Sequence, residues 1–322
     1  MAIVGGSFAI SDALTAYPLC PAQAARYLLG SLLLVVIARA RRVPVHRPSR
    51  RELARLTMVA ATGLVGFNAC VVTALRYTEP AVLGVVVGSS PVVLTLLPAL
   101  LSRRGRQWSL VGASVLVVSG VTLVEGAGRT SALGLLFALG ALGGEVAFTR
   151  LAVPLLPRLG PVGVSVHTTA LAGVLFAVAS PGVALLTGSP MLAHPPADEV
   201  AAVAFLAIAV TAVAFVCWYH AVVVLGSRRA GLLTGAMPVS ALVVGGLLGL
   251  DEIQPWPVAG AALVAVGIAT GLLRGPLARN DDDRAGRVLN AVLAGRAEQE
   301  PTERAVPSVT HDQQLRPLGR LQ

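Results

Sequence analysis

The sequence predicts an all-α integral membrane protein with about ten transmembrane helices, arranged as two inverted five-helix repeats. Three observations predict this fold: 55% of the residues are apolar and only 13% are charged, the apolar residues form runs long enough to cross a bilayer, and a pattern of residues recurs halfway along the chain. About a quarter of the residues are charged in an ordinary soluble domain. The composition therefore argues against a soluble enzyme or binding module.

The apolar runs define the spans, because lipid gives the backbone no hydrogen-bond partner and a helix needs about 20 residues to cross it. The first run is short and would reach only roughly 24 Å at 1.5 Å per residue. It has no basic start, so it is not typical of a signal peptide. Either this helix thins the bilayer locally or the true start codon lies upstream. The predicted spans are Met1–Ala16, Ala22–Ala38, Leu56–Thr78, Ala81–Leu101, Trp108–Val124, Ala132–Val153, Val162–Leu186, Val200–Leu225, Ala230–Leu250 and Trp256–Leu273.

The distribution of arginine predicts the orientation, because basic loops stay on the cytoplasmic side. All 25 basic residues are arginines, and the net charge is +9. With the N-terminus inside, the arginine-rich segment 39–55 and the pairs Arg103–Arg104 and Arg228–Arg229 fall in cytoplasmic loops. The outer loops then hold only Arg76 and Arg129. We expect both termini to be cytoplasmic and the protein to lie in the plasma membrane.

An internal repeat is visible at a shift of 147 residues, which superposes Cys70 on Cys217 and Pro91 on Pro238. With one more residue inserted, Trp108 falls on Trp256. Five helices per half give the halves opposite orientations, an architecture from which many secondary transporters build a central site. The predicted units are a first repeat (1–126), a second repeat (127–274) and a polar, disordered cytoplasmic tail (275–322).

Pro91 and Pro238 lie near the middle of the fourth and ninth spans. Proline removes a backbone donor and clashes with the preceding turn, so we expect each helix to be interrupted there. Interrupted helices at matching positions indicate a transport site. The substrate-cavity candidates are therefore Ser89, Ser90, Pro91, Met237 and Pro238. The alternative is that the prolines only shape the packing of the bundle.

Glu145 and His167 are ionisable residues inside the sixth and seventh spans, where a charge costs roughly 2.5–3.5 kcal/mol on insertion scales. Both lie at similar distances from the turn at 154–161, so their side chains can meet if they share a face. A buried carboxylate beside an imidazole suits proton coupling. The alternative is a structural hydrogen bond between Glu145 and a hydroxyl such as that of Thr168.

Asp12 and Arg26 form a candidate ion pair near the outer ends of the first two spans. The arginine could attract an anionic solute group, or its side chain could snorkel to the interface. Asn68, Trp218 and His220 are further cavity candidates. Trp218 can equally be an anchor at the membrane interface.

Several motifs resemble the EamA-type transporters of the drug/metabolite transporter superfamily, in their order and spacing over roughly residues 5–273. The resemblance implies a ten-helix exporter or exchanger of small metabolites with a cavity lined by both repeats, and it implies no particular substrate. His220 departs from the family, where a basic residue is common, and so does the region of Glu145, where an aromatic is common. The motifs are Gly6-Ser-Phe-Ala-Ile, Ala25-Arg-Tyr-Leu-Leu, Ala74-Leu-Arg-Tyr-Thr-Glu-Pro-Ala, Ala214-Phe-Val-Cys-Trp-Tyr-His-Ala, Met237-Pro and Leu250-Asp-Glu.

The leading functional prediction is a secondary transporter that exports or exchanges small metabolites or drug-like solutes. The alternative is a channel-like or non-transporting membrane scaffold. No HExxH, GxSxG or GxxxxGK[ST] motif occurs, so we expect neither an enzyme nor a pump with its own ATPase. The scattered Cys20, Cys70 and Cys217 suggest no metal site. The expected partners are a small-molecule substrate, the lipid bilayer and a second copy in a homodimer, with no nucleic acid and no cofactor.

Overall fold

The computed structural model describes residues 19–101, 108–126, 128–187, 197–247 and 255–273. The predicted first span and the tail 275–322 lie outside the described residues. Within the described ranges the chain is helical, and its β-type pairing is an isolated bridge between Thr78 and Thr130. The α-helices are α1 (Leu19–Ala40), α2 (Arg50–Ala60), α3 (Phe67–Ala74), α4 (Pro80–Gly88), α5 (Ser90–Leu101), α6 (Trp108–Glu125), α7 (Ala132–Ala152), α8 (Leu156–Thr187), α9 (Ala197–Phe205), α10 (Ala214–Leu225), α11 (Ser227–Leu232), α12 (Ala236–Leu247) and α13 (Pro255–Leu273).

Five helical stretches among the described residues are long and apolar enough to cross a membrane. Four of them have the length of one span: Cys20–Ala40, Arg50–Ala74, Val200–Leu225 and Pro255–Leu273. A fifth stretch, Ala132–Leu186, has 55 residues and contains two predicted spans. It turns at Gly160, whose φ of 69° is a left-handed conformation that favours glycine. The all-α membrane architecture predicted from composition is confirmed.

Two π-helical segments occur at matching positions of the two repeats. The first π segment (Ala61–Gly66) joins α2 to α3, and the second π segment (Leu206–Val213) joins α9 to α10. The 147-residue shift carries the first segment onto positions 208–213, inside the second. A π turn interrupts the regular hydrogen-bond ladder and is frequently found at functional sites. The two repeats therefore share a local irregularity of the backbone as well as matching residues.

The predicted interruptions of the proline-containing spans are present. Ser89 forms a turn between α4 and α5, two residues before Pro91. Leu233–Gly235 forms a single 3₁₀ turn between α11 and α12, just before Pro238. The Ser89 hydroxyl donates to the carbonyl of Val86 at 2.6 Å, so it bonds a carbonyl beside the break.

The two repeats meet along α6 and α13, where small residues let the backbones approach. A Cβ added at Gly120 would lie 2.6 Å from the carbonyl oxygen of Gly260, and the reverse substitution would give the same distance. Close packing of small residues is a main source of cohesion between membrane helices. This contact joins the last helices of the two repeats.

One end of the bundle carries a cluster of arginines, and we call it the basic end. Arg158, at the start of α8, forms an ion pair with Glu52 of α2 and donates to the carbonyl of Arg47 at 3.0 Å. Glu52 also completes a capping box with Ser49 at the start of α2. The ion pair ties the first repeat to the second at the surface of this end.

Candidate functional site

A hydrogen-bonded network of polar side chains crosses the bundle between the two repeats. We call it the arginine network, and its members are Gln23, Arg26, Tyr27, Asn68 and Thr211. Arg26 Nε donates to Thr211 Oγ1 at 2.9 Å, and Arg26 Nη1 donates to Gln23 Oε1 at 3.3 Å. Gln23 Nε2 donates to Asn68 Oδ1 at 3.2 Å, and Asn68 Nδ2 donates to Tyr27 Oη at 3.4 Å. Every polar side chain of the network has a partner.

The sequence places these groups together by helical spacing and by the π segments. Gln23, Arg26 and Tyr27 are three and four residues apart on α1, so they share a face. Asn68 follows the first π segment, and its amide also donates to the carbonyl of Leu64 at 2.7 Å. Thr211 lies in the second π segment.

Gly30 is what allows α1 to approach the second π segment. A Cβ at Gly30 would lie 2.7 Å from Thr211 Cγ2 and 3.2 Å from the carbonyl oxygen of Ala207. A larger residue would separate the two elements and lengthen the bond between Arg26 and Thr211.

A second polar region surrounds Glu145 in α7. We call it the glutamate cluster, and its members are Glu145, Thr149, Thr168 and Tyr219. Glu145 is partly buried and lies one turn before Phe148, whose ring centroid is 5.2 Å from that of Tyr219. Thr149 is one turn further along the same face of α7. Within the described part of the chain, the hydroxyls of Thr149, Thr168 and Tyr219 are buried without a hydrogen-bond partner.

The lack of partners in the glutamate cluster is unusual among the hydroxyls of this bundle. Thr169, directly after Thr168, donates to the carbonyl of Ser165 at 2.8 Å, and Ser165 donates to the carbonyl of Pro161 at 2.9 Å. A buried hydroxyl without a partner costs about 1–3 kcal/mol. The cluster therefore holds hydroxyls that are available to hydrogen-bond a polar solute.

A row of aromatic rings joins the two polar regions. Tyr27 stacks on Phe176 with ring centroids 5.8 Å apart and lies 6.5 Å from Phe215. Phe215 packs edge-on against Phe148 at 5.1 Å, and Phe148 packs against Tyr219 at 5.2 Å. Tyr27 belongs to the arginine network and Tyr219 to the glutamate cluster, so the row connects them through the core.

His167 is partly buried on α8, and its ring is oriented by its own helix. Nδ1 lies 2.6 Å from the carbonyl oxygen of Gly163, so Nδ1 carries the proton and Nε2 is the acceptor in the neutral ring. The described structure records no hydrogen bond or ion pair between His167 and Glu145. The pairing of these two residues stays a prediction. The alternative partner of Glu145 was the hydroxyl of Thr168. That hydroxyl is buried without a hydrogen-bond partner among the described residues, so the structure records no bond between it and Glu145.

The interrupted spans meet each other across the repeat boundary. Ser90 and Thr234 are both fully buried, and their hydroxyl oxygens are 3.1 Å apart. Thr234 donates to the carbonyl of Gly231 at 2.8 Å, so Ser90 is the donor between the two hydroxyls. This bond links the break before Pro91 to the 3₁₀ turn before Pro238.

The remaining candidates lie in different surroundings. Trp218 is buried in the core with its indole nitrogen unpartnered within the described residues. His220, two residues later, is exposed on the outside of α10. Met237 is partly buried at the start of α12. Asp12 lies outside the described residues, so its pairing with Arg26 stays a prediction.

Sequence reasoning missed Gln23, Thr149, Thr211 and Tyr219 as site residues. The spacing of Gln23 from Arg26 was an available signal, because polar residues three apart in an apolar span share a face. Neither hydropathy nor spacing indicates the contact of Thr211 with another helix.

The EamA-like transporter family model matches residues 1–126 and 132–272 of the chain. The chain belongs to the EamA-like transporter family. Its two matched segments correspond to the two halves related by the internal repeat. The protein is thus an integral membrane protein and a member of a family of transporters.

The transporter is also similar to individual curated proteins. It is 24% identical over 282 residues to the uncharacterized transporter YetK of Bacillus subtilis, covering 85% of this chain and 84% of that protein. It is 26% identical over 271 residues to a probable terminal-alkyne amino-acid exporter of Streptantibioticus cattleyicolor, covering 81% and 86%. A solved crystal structure matches with a TM-score of 0.70 at 22% identity, over 84% of this chain and 94% of the solved one. That structural likeness concerns the fold alone.

Proposed function

We propose that this transporter is a secondary exporter or exchanger of small metabolites or drug-like solutes, working by alternating access in the plasma membrane with both termini cytoplasmic. The bond from Arg26 to Thr211 carries the proposal. It places polar side chains of the two repeats in contact inside an apolar bundle, and transporters built from inverted repeats bind their solute at the repeat interface. Export as the direction is supported by the similarity to a probable amino-acid exporter.

The proposal includes coupling to protons through Glu145. A carboxylate at membrane depth is expensive and is a functional candidate by default. Glu145 is one turn before Phe148, which packs against Tyr219, and the hydroxyls of Tyr219 and Thr149 are buried without a partner among the described residues. These groups can donate to the charged carboxylate in one state and release it in another. His167 keeps Nε2 available as an acceptor for the same proton.

Counterflow in proteoliposomes tests whether the protein is a carrier. The full chain is reconstituted, and the vesicles are loaded with a small-molecule extract of bacterial cells. Exchange with labelled extract outside is followed by mass spectrometry. We expect flux of particular components that saturates and is accelerated by solute on the opposite side. Flux that rises linearly without counterflow would favour a channel, and no flux would favour a scaffold.

A matched pair of variants tests the proton step. Glu145→Gln should reduce the flux stimulated by an imposed pH gradient at least tenfold and leave counterflow measurable. Glu79→Gln removes an exposed carboxylate at the other end of the bundle, and it should leave the stimulation intact. Equal stimulation in wild type and Glu145→Gln would disprove coupling through Glu145.

A further inference from the structure

We propose that the solute carries a carboxylate group and that Arg26 is the residue that ion-pairs with it. This inference rests on the proposed transport function and deepens it by naming the chemical class of the solute. It identifies Gln23 and Thr211 as positioning residues that hold the guanidinium toward the interface between the repeats.

The first step of the argument is where the guanidinium points. Arg26 lies within α1, in a stretch that is apolar enough to cross a membrane. A snorkelling arginine extends its charged head to the membrane surface. Instead, Arg26 Nε donates to Thr211, a fully buried residue of the other repeat. The Nε end of this partly buried side chain is therefore directed at the other repeat.

The second step is the charge balance around Arg26. A guanidinium stays protonated in proteins and has five N–H donors. Its two donations go to a neutral hydroxyl and a neutral amide oxygen. Among the described residues, the carboxylate of Glu52 pairs with Arg158 at the basic end, and no described carboxylate pairs with Arg26. The described surroundings thus supply hydrogen bonds and the face of the Tyr27 ring, whose centroid is 5.1 Å from Arg26 Cζ, and no carboxylate.

The third step is the fit to a particular anion. A charged group within an apolar span is normally paired, and the planar guanidinium matches a carboxylate with two parallel hydrogen bonds. Gln23, Asn68 and Tyr27 around it are neutral, so the site offers a single positive charge. One positive charge balances a carboxylate and leaves a phosphate dianion half neutralised. The charge balance points to a carboxylate.

The first experiment compares two solute pools on the wild-type full chain in proteoliposomes. One pool is a small-molecule extract of bacterial cells, and the other is the same extract after its carboxylates are converted to methylamides with a carbodiimide and methylamine. We expect the transported components to carry a free carboxylate, and we expect their capped forms to be transported at least tenfold more slowly. Transport of capped and uncapped forms at equal rates would overturn the inference and leave the proposed transport function standing. If no component of either pool is transported, the proposed function itself fails.

The second experiment assigns the recognition to Arg26. Arg26→Gln should raise the KM for the carboxylate solutes at least tenfold with a smaller change in maximal rate, and it should abolish the preference for uncapped over capped forms. Arg26→Lys keeps the charge without the planar fork, so it should recover part of that preference. Arg76→Gln removes an exposed arginine of the 75–79 connection and should behave like wild type.

A structural role for Arg26 predicts a different pattern. In that case Arg26→Gln would slow capped and uncapped solutes equally and leave their ratio unchanged, which would overturn the assignment. The variant Asp12→Asn tests whether Arg26 is neutralised by Asp12 rather than by the solute. In that case Asp12→Asn would lose the preference for uncapped solutes, as Arg26→Gln does. We expect Asp12→Asn to keep the preference for carboxylates. Preferential transport of phosphate esters would also contradict the proposal.

Discussion

The arginine network and the glutamate cluster lie in one bundle and are joined by one row of aromatic rings. They differ in whether their polar side chains have hydrogen-bond partners. Each polar side chain of the arginine network has a partner. In the glutamate cluster, three described hydroxyls are buried without one. Satisfied polar networks rigidify a core, whereas partly satisfied ones are costly. The difference indicates that the arginine network is preorganised, whereas the hydroxyls of the glutamate cluster need a partner from outside the described residues.

The comparison also separates the two repeats. The first π segment packs on α7, where a Cβ at Gly63 would lie 2.7 Å from Phe148 Cβ. The second π segment packs on α1 and accepts a hydrogen bond from Arg26 through Thr211. The backbone irregularity occurs in both repeats, and the two copies make different contacts: close packing on the backbone of α7 in one and a hydrogen bond from an arginine in the other.

The largest effect on stability is expected at the paired region. Asn68→Leu would leave Gln23 Nε2 without its acceptor and remove the donor to Tyr27 Oη. Because unpaired buried polar groups cost about 1–3 kcal/mol each, we expect a loss of about 2–3 kcal/mol in the free energy of unfolding, measured by SDS titration in mixed micelles. Thr73→Val is the control, because the Thr73 hydroxyl donates only to its own helix at Ala69. Equal stabilities of the two variants would show that the network is not a stabilising unit.

The next effect tests the close packing of the first π segment on α7. In Gly63→Ala the new methyl group would meet the backbone of Phe148, with the Cα at 2.9 Å. Displacing α7 to make room should cost about 1–3 kcal/mol in the same titration, and it should also alter proton-stimulated flux because Glu145 is on α7. Gly143→Ala has no atom within 4 Å of the new Cβ, so it should be neutral or slightly stabilising. Tolerance of both changes would contradict the close packing.

A smaller effect is expected in the glutamate cluster. Thr168→Val replaces an unpartnered, fully buried hydroxyl with a methyl group of similar shape. We expect stability to change by less than about 1 kcal/mol, in the stabilising direction. Thr169→Val is the comparison, because the Thr169 hydroxyl donates to the carbonyl of Ser165. We expect Thr169→Val to be less stable than Thr168→Val. A large destabilisation by Thr168→Val would mean that the hydroxyl is already satisfied, and the contrast between the two regions would disappear.

The smallest effect is expected at the basic end. Glu52→Gln breaks the ion pair with Arg158, whose side chain is 49% exposed. Exposed pairs contribute little and are screened by salt, so the melting temperature should fall slightly at low ionic strength and match wild type in 1 M salt. A large decrease that persists in salt would show that the basic end, rather than the two polar regions, holds the repeats together.

Much of the fold follows from local sequence patterns. Hydropathy predicted the spans because burial in lipid requires continuous apolar helix. Pro91 and Pro238 predicted the interruptions because proline acts on its own helix wherever that helix packs. The repeat was visible because its matching residues keep their spacing. The π segments were not predicted, since Ala61–Gly66 has no proline and no distinctive composition.

The candidate site depended more on tertiary structure. The sequence by itself determined which polar residues lie within apolar spans, including Arg26 and Glu145, because a span must continue for about 20 residues to cross the lipid. Only the folded bundle decided that Arg26 meets Thr211 and that the helix of Glu145 packs against Tyr219 through Phe148. A helix in lipid is apolar around most of its circumference, so its sequence carries little information about which face turns toward which neighbour. That choice is made by packing, at close contacts such as those of Gly30 and Gly63.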